Sequence, residues 1–413
     1  MSIRVFNKPA VVIGGGASAT LSSISISNNG TYHASNYGVD GFDVVDVAVG
    51  DVDSRFAGLC ARDFSQLTSA ETYDVSKIGS LAFYCYNKLV YVDFPNVTAI
   101  EISAFHNCQF LQTAKFENCL SISEHAFLNC YSLSNISFPK CLHLSYNAFA
   151  SCYNLSYAEF PFVDRVSSYC FVNCTNLSSI SFSTASIFSN GAFNYCFNLK
   201  DIYAPSLTSI GTYCFSSCYA LVSVNFSSLT ILGGAAFAHC TSLEYVSLPN
   251  ISSFASSCFA GCTSLKNVYA PKAYNFNRYA FSGCTALSKL LVGQETSSST
   301  CYLQSNVFIG CNNLQKIYFG KPANFGQSNA FLNCTKLESV YISGSTRYGS
   351  LTNVNNFANT PISNSALLGH YGSIYVLTGV KSLYSDTNWL AYSDRIVEIT
   401  PQQMQDIVDH WDD

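Results

Sequence analysis

Residues 126–139 read AFLNCYSLSNISFP, and the same pattern, A-F-x-x-C-x-x-L-x-x-I-x-F, returns along the chain. Its phenylalanine falls at 83, 105, 127, 149, 171, 193, 215, 237, 259 and 281, always 22 residues apart. The series continues at Phe308, Phe331 and Phe357, after steps of 27, 23 and 26. A leucine follows six residues after each phenylalanine from Leu89 to Leu337. Self-similarity at such a period marks a stacked repeat architecture rather than a globular core.

Within a unit the apolar spacing changes once. Ile100, Ala104, Cys108 and Leu111 are four, four and three residues apart, which predicts one face of a short helical turn. Then Asn135, Ile136, Ser137 and Phe138 alternate, predicting a strand with Ile136 and Phe138 inward and Asn135 and Ser137 outward. Pro139 ends it, having no N–H for a ladder. A loop with one inward apolar residue (Val97, Leu207, Leu229, Ile251) leads to the next turn. One such unit cannot bury its own apolar face, whereas stacked copies can. About thirteen coils predict one curved parallel sheet on the order of 60 Å long, at roughly 4.8 Å per strand.

Those residues carry a family resemblance. AFLNCYSLSNISFP (126–139), CFSSCYALVSVNF (214–226) and CFAGCTSLKNVYAP (258–271) resemble the BspA-like leucine-rich repeats of bacterial surface proteins, over residues 78–362. The resemblance implies a leucine-rich-repeat solenoid and an adhesion function toward a host or bacterial surface protein or glycan. TYHASNYGVDGFDVVDVAV (31–49) resembles a short module of gut Firmicutes and their prophage proteins, which implies attachment. The expected organisation is a small β-rich attachment module at 1–50, a linker or N-terminal cap at 51–77, the array at 78–362 and a C-terminal cap at 363–413. In that cap, Trp389 and Tyr392 are expected to cover the open face of the last coil, and 402–411 to form a short helix.

Composition narrows the function. The 413 residues are 48% hydrophobic but only 11% charged, with a net charge of −5 and no Lys/Arg cluster. Nucleic acid is therefore excluded as an expected partner. The uncharged stretches 166–199 and 202–243 are too rich in Ser, Asn and Cys for membrane spans, so no membrane insertion is expected. The N-terminus, MSIRVFNKPAVVIGGGASAT, shows no clear signal peptide. Cell-surface or secreted localisation is expected, with a phage or prophage particle, and a receptor-binding arm on its tail, as the alternative.

Eleven of nineteen cysteines share one repeat position (108, 130, 152, 174, 196, 218, 240, 262, 284, 311 and 334). A small polarizable side chain suits a buried column. Disulfides between neighbouring coils are the second reading and metal the third, the latter weakened by the lack of a converging ligand pair. VVIGGGASA (11–19) fits a dinucleotide fingerprint formally, but the Ser and Ile that follow favour a strand over the helix such a site needs. No nucleophile–base or paired-carboxylate arrangement stands out, so neither enzyme activity nor a cofactor is expected. The outward strand positions say more. Tyr203, Tyr269, Tyr318 and Tyr341 fall in one column, and Tyr245, Lys289 and Lys316 in the other. Tyrosine gives large contact area with few rotors, so these seven are the candidate ligand-binding residues on the concave face.

Overall fold

The computed structural model describes residues 76–411, except 88, 294–299, 326–328, 345–353, 364–371 and 385–386, together with four strands nearer the N-terminus. Three of those four, Ser23–Ile26, Thr31–Ser35 and Val44–Ala48, form an antiparallel sheet. The alternating Ser/Ile stretch is thus extended, while the glycine run at 14–16 and the expanded loop at 294–299 lie outside the described residues. The chain divides into two compact units, Met1–Ser206 and Leu207–Asp413.

In the first unit each coil contributes a three-residue strand to a parallel sheet of seven, from Ser69–Glu71 to Asp201–Tyr203. Register is one repeat per strand, so Asn135 pairs with Tyr157 and Tyr157 with Ser179. Ile136 and Phe138 are buried and Asn135 and Ser137 exposed, in keeping with the alternation. A second, two-residue strand per coil, such as Ala99–Ile100 and Ser121–Ile122, pairs in parallel where a plain loop was expected.

The segment between the two strands corrects the helical expectation. Ile100, Ala104, Cys108 and Leu111 are all buried as the spacing required. Their backbone, however, is a succession of turns, with Ser103 at φ 56° and Asn107 at φ 61°. A residue in the left-handed region cannot continue a right-handed helix. Those two residues turn the N–H groups sideways toward the next coil: Ser103 donates to Glu124 (2.9 Å), Phe105 to Ala126 (2.7 Å) and Asn107 to Leu128 (2.8 Å). A helix would have spent these donors within the segment. Left-handed backbone costs roughly 1–2 kcal/mol per non-glycine residue, and the inter-coil hydrogen bonds offset it. Neighbouring coils are therefore joined on three sides, by two ladders of strands and one of turns.

The core is a set of columns. Phe105 stacks on Phe83 at 4.9 Å and on Phe127 at 5.0 Å, with planes within 5° of parallel. A second column, Phe116, Phe138 and Phe160, runs beside it at spacings of 5.7 Å. The cysteines form a third column with a polar purpose. The thiol of Cys130 donates to the carbonyl oxygen of Phe105 in the preceding coil (3.1 Å), which also accepts the backbone N–H of Cys108. The same bond recurs at Cys108, from Cys152 to Cys196, and from Cys240 to Cys334, at 2.9–3.3 Å. Alanine would leave that carbonyl one donor short, and serine would bury a more strongly hydrated hydroxyl.

Burial raises the pKa of most thiols in this column, Cys240 to about 12, and pushes Cys141, outside the column, up to about 12 as well. Only Cys85 among the described cysteines is more than marginally exposed. Native protein should therefore react slowly with a thiol reagent, and denatured protein, without reductant, should titrate most of its nineteen cysteines. A count of only a few free thiols after denaturation would indicate an oxidised protein instead. The same shift makes stability fully present below about pH 8.5, where the unfolded thiols begin to ionise, and lost as pH rises further.

The second unit repeats this plan and extends it. Eight parallel strands run from Ser223–Asn225 through Tyr245–Ser247, Asn267–Ala270, Lys289–Val292, Lys316–Phe319 and Ser339–Ile342 to Ser373–Leu377 and Ile396–Ile399. The longer strands of this unit thus make one parallel sheet. The last two strands lie beyond the repeats yet keep the register. Trp389 is fully buried against Phe325 (5.8 Å) and Tyr384 (5.0 Å), and Tyr392 rests on Phe357 (5.3 Å). Residues Pro401–Asp409 then form a helix, opened by a capping box in which Thr400 Oγ1 accepts from the Gln403 N–H and Gln403 Oε1 from the Thr400 N–H.

Candidate binding surface

Pairing in the second unit's sheet sorts its outward side chains into two columns. In one, Ser247 faces Tyr269, Tyr269 faces Leu291, and Leu291, Tyr318, Tyr341 and Tyr375 follow in step. In the other, Tyr245 faces Asn267 and Lys289 faces Lys316. Six of the seven candidate residues thus share one sheet face, in the columns read from the repeat. Tyr203 belongs to the first unit, where it is 59% exposed on the last strand of that unit's sheet.

The C-terminal helix changes the character of this face. Met404, Ile407, Val408 and Trp411 are spaced as one helical stripe, and they pack on Leu291, Tyr318, Tyr341 and Leu377. The Trp411 ring lies edge-on to Tyr318 and Tyr341, 6.2 Å from each. Lys316 Nζ sits 4.8 Å above the indole, a cation–π contact. Lys289 Nζ donates to the Trp411 carbonyl oxygen at 2.6 Å. Tyr318 is consequently only 7% exposed, and burial raises the pKa of both Tyr318 and Tyr341. Tyr318 and Tyr341 thus point away from the core but toward a cover.

Two rings escape it. Tyr245 (42% exposed) and Tyr269 (48%) lie on adjoining strands just beyond the helix end. Together with Asn267, Lys289, Leu291, Val408 and Trp411 they line a recess of about 410 Å³ between sheet and helix, within the range of small-molecule sites, roughly 300–1,000 Å³. Trp411 and Val408 were not among the residues picked out from sequence. Their signal was present: Thr400-Pro401-x-Gln403 opens a helix, and positions 404, 407, 408 and 411 form its apolar stripe. Where that stripe docks was not legible. A shallower recess of about 360 Å³ lies on the first unit's sheet, over Lys115, Asn135, Ser137 and Tyr157.

Among the described residues no cluster of three or more His, Cys, Asp or Glu side chains is arranged to hold a metal ion. No helix among them is long and apolar enough to cross a membrane.

Comparison with known proteins agrees with this geometry. The family model described as the BspA type leucine rich repeat region (6 copies) matches residues 60–178, 164–288 and 275–374. No curated protein matches the sequence. Among solved structures, a leucine-rich repeat protein from Bacteroides ovatus is similar with a TM-score of 0.54 and 23% identity, covering 75% of this chain and 85% of that one. A leucine rich cell surface protein from Faecalibacterium prausnitzii is 19% identical over 78% of this chain and 88% of its own, with a TM-score of 0.34. A leucine-rich repeat protein from Eubacterium ventriosum is 16% identical over 79% and 96%, with a TM-score of 0.41.

Proposed function

This chain belongs to the BspA-type leucine-rich repeat family, and we propose that it is a non-catalytic adhesion protein, secreted or held at a cell surface. Its partner is a protein or glycan on a host or bacterial surface, bound through the strand face of the second unit. Stacked coils offer one side chain each to such a partner, so a broad contact is assembled from small contributions. The observation that carries the reading is the exposure of Tyr245 and Tyr269 beside Lys289 in one recess. Large exposed rings in a concavity, with a charge at its wall, are the composition of contact hot spots.

The test is capture of whole bacteria, host cells or matrix proteins on immobilised protein. Substituting Tyr245 and Tyr269 together by serine should weaken capture at least tenfold and leave the circular dichroism spectrum and melting temperature unchanged. Substituting Thr113 and Ser137, outward on the first unit, should do little. The reverse ranking would move the site to the first unit's recess.

A further inference from the structure

We propose that the strand face of the first unit binds a linear polyamine, at a place that the second-unit reading above does not involve. The sheet itself shows how it holds an ammonium. On Tyr91–Asp93 a tyrosine and an acid sit two residues apart, and the Tyr91 hydroxyl donates to Asp93 Oδ2 at 2.8 Å. The next strand brings a cation to them. Lys115 lies opposite Asp93 in the ladder, and its Nζ stands 5.6 Å from the centre of the Tyr91 ring. An ammonium over a phenol face and beside a carboxylate gains both cation–π and charge–charge attraction.

The tyrosine–acid pair returns on Tyr157–Glu159. The Tyr157 ring is exposed, and partial burial, then the charge and hydrogen bond of Glu159, raise its pKa. Here the position that corresponds to Lys115 is Ser181, directly opposite Glu159. On the other side of Glu159 stands Ser137. Lys115 is two strands from Glu159 and reaches the other way, over Tyr91. Among the described residues no lysine or arginine pairs with Glu159, nor with Asp201.

Asp201–Tyr203 adds a second pair in reversed order. Asp201 lies across Ser179 from Tyr157, and Tyr203 lies across Ser181 from Glu159. The two short serines therefore floor a slot about 10 Å wide, two strand spacings. Each wall carries one exposed ring and one carboxylate, and the carboxylates stand diagonally. A divalent metal needs carboxylate oxygens that converge, which opposite walls do not provide. A chain with an ammonium toward each end meets both acids, and its methylenes lie against the rings. The aminobutyl arm of spermidine repeats the side chain of Lys115, the group that the first pair already receives.

The full chain is titrated calorimetrically with spermidine, with n-butylamine, with tetralysine and with calcium chloride. Spermidine should bind at least tenfold tighter than n-butylamine, and more weakly as salt is added. Glu159→Gln and Asp201→Asn should each weaken it at least fivefold with unchanged circular dichroism. Ser181→Lys supplies the internal ammonium that Lys115 gives the first pair, and should abolish binding. Ser242→Lys, the same charge on an exposed position of the second unit, should change affinity less than twofold. So should Asp93→Asn, whose carboxylate already has Lys115 opposite. Spermidine no tighter than n-butylamine, no response at millimolar concentration, or indifference to Ser181→Lys would overturn the proposal. Equal weakening by Ser242→Lys would reduce it to diffuse charge, and displacement of spermidine by equimolar calcium would make the site a metal site instead. Tetralysine binding more tightly than spermidine would assign the slot to a basic protein segment and equally refute the polyamine.

Discussion

Phe149→Ala should lower the unfolding free energy by about 3–5 kcal/mol, the range for removing a fully buried aromatic ring. The ring is completely buried. It stacks between Phe127 at 5.1 Å and Phe171 at 5.4 Å, and leans on Phe138 and Phe160 at 5.9 and 5.8 Å. Those neighbours cannot slide in to fill the void. Each belongs to its own coil, and each coil is pinned to the next, as Phe127 N–H is to Ala148 and Phe149 N–H to Cys170, both at 2.8 Å. The cavity therefore persists, which places the cost high in its range. Chemical denaturation followed by circular dichroism measures it. A loss below about 1 kcal/mol would show that the columns relax freely and that the core is not held coil by coil.

The adjoining glycines of the second unit provide a sharper contrast, because one should be replaceable and the other not. A methyl group on Gly233 would run into the backbone of Gly211 and Thr212 in the coil before it, including the Gly211 carbonyl oxygen at 2.6 Å. Gly233 N–H is bonded to the Ile210 carbonyl at 2.8 Å, so the two backbones cannot separate without losing that bond. Gly233→Ala should cost roughly 1–3 kcal/mol or more, as overpacking against fixed backbone does. At Gly234 the nearest atom to an added methyl is the Ser256 carbonyl oxygen at 3.4 Å. Gly234→Ala should therefore stay within about half a kcal/mol of wild type, the usual span for surface changes. Equal melting temperatures for the two variants would refute the close approach of these coils.

The repeat exposes some features to a reader of the sequence and conceals others. Phenylalanine, leucine and cysteine recur because they occupy the interior, so burial could be inferred position by position. Backbone conformation could not. Ile100, Ala104 and Cys108 are spaced as on a helix, yet an arch with two left-handed residues turns the same side chains inward. The first of those positions holds Leu81, Ser103, His125, Tyr169 and Ala235 as well as Asn147, Gly191, Asn306 and Asn329, a mixture with little common chemistry to betray it. The second holds Asn107, Asn129, Asn173, Gly261, Gly283 and Gly310 beside Cys85, Ser151, Tyr195, Ser217 and His239, and its leaning toward Asn and Gly was the available clue. The candidate surface divides likewise. Its two columns follow from strand alternation, but the cover over Tyr318 and Tyr341 depends on a helix about sixty to ninety residues later in the chain. No local pattern links Lys289 to the Trp411 carbonyl, 122 residues away.

The thiol ladder has a consequence for how the protein comes to be folded. Its bonds join residues 25 apart, such as Cys130 and Phe105 or Cys152 and Phe127, and the neighbouring turn and strand bonds span about one repeat. Sequence separations this short, in a chain of 413 residues, place the array among low contact-order topologies, where loop-closure entropy is small at every step. During synthesis, each new coil needs only its predecessor as a template, so ordering can advance at the pace of the ribosome instead of waiting for the C-terminus. Growth of that kind leaves one apolar end uncovered at any moment. The covering of Phe325 and Phe357 by Trp389 and Tyr392 then closes the apolar end that the array leaves as it grows.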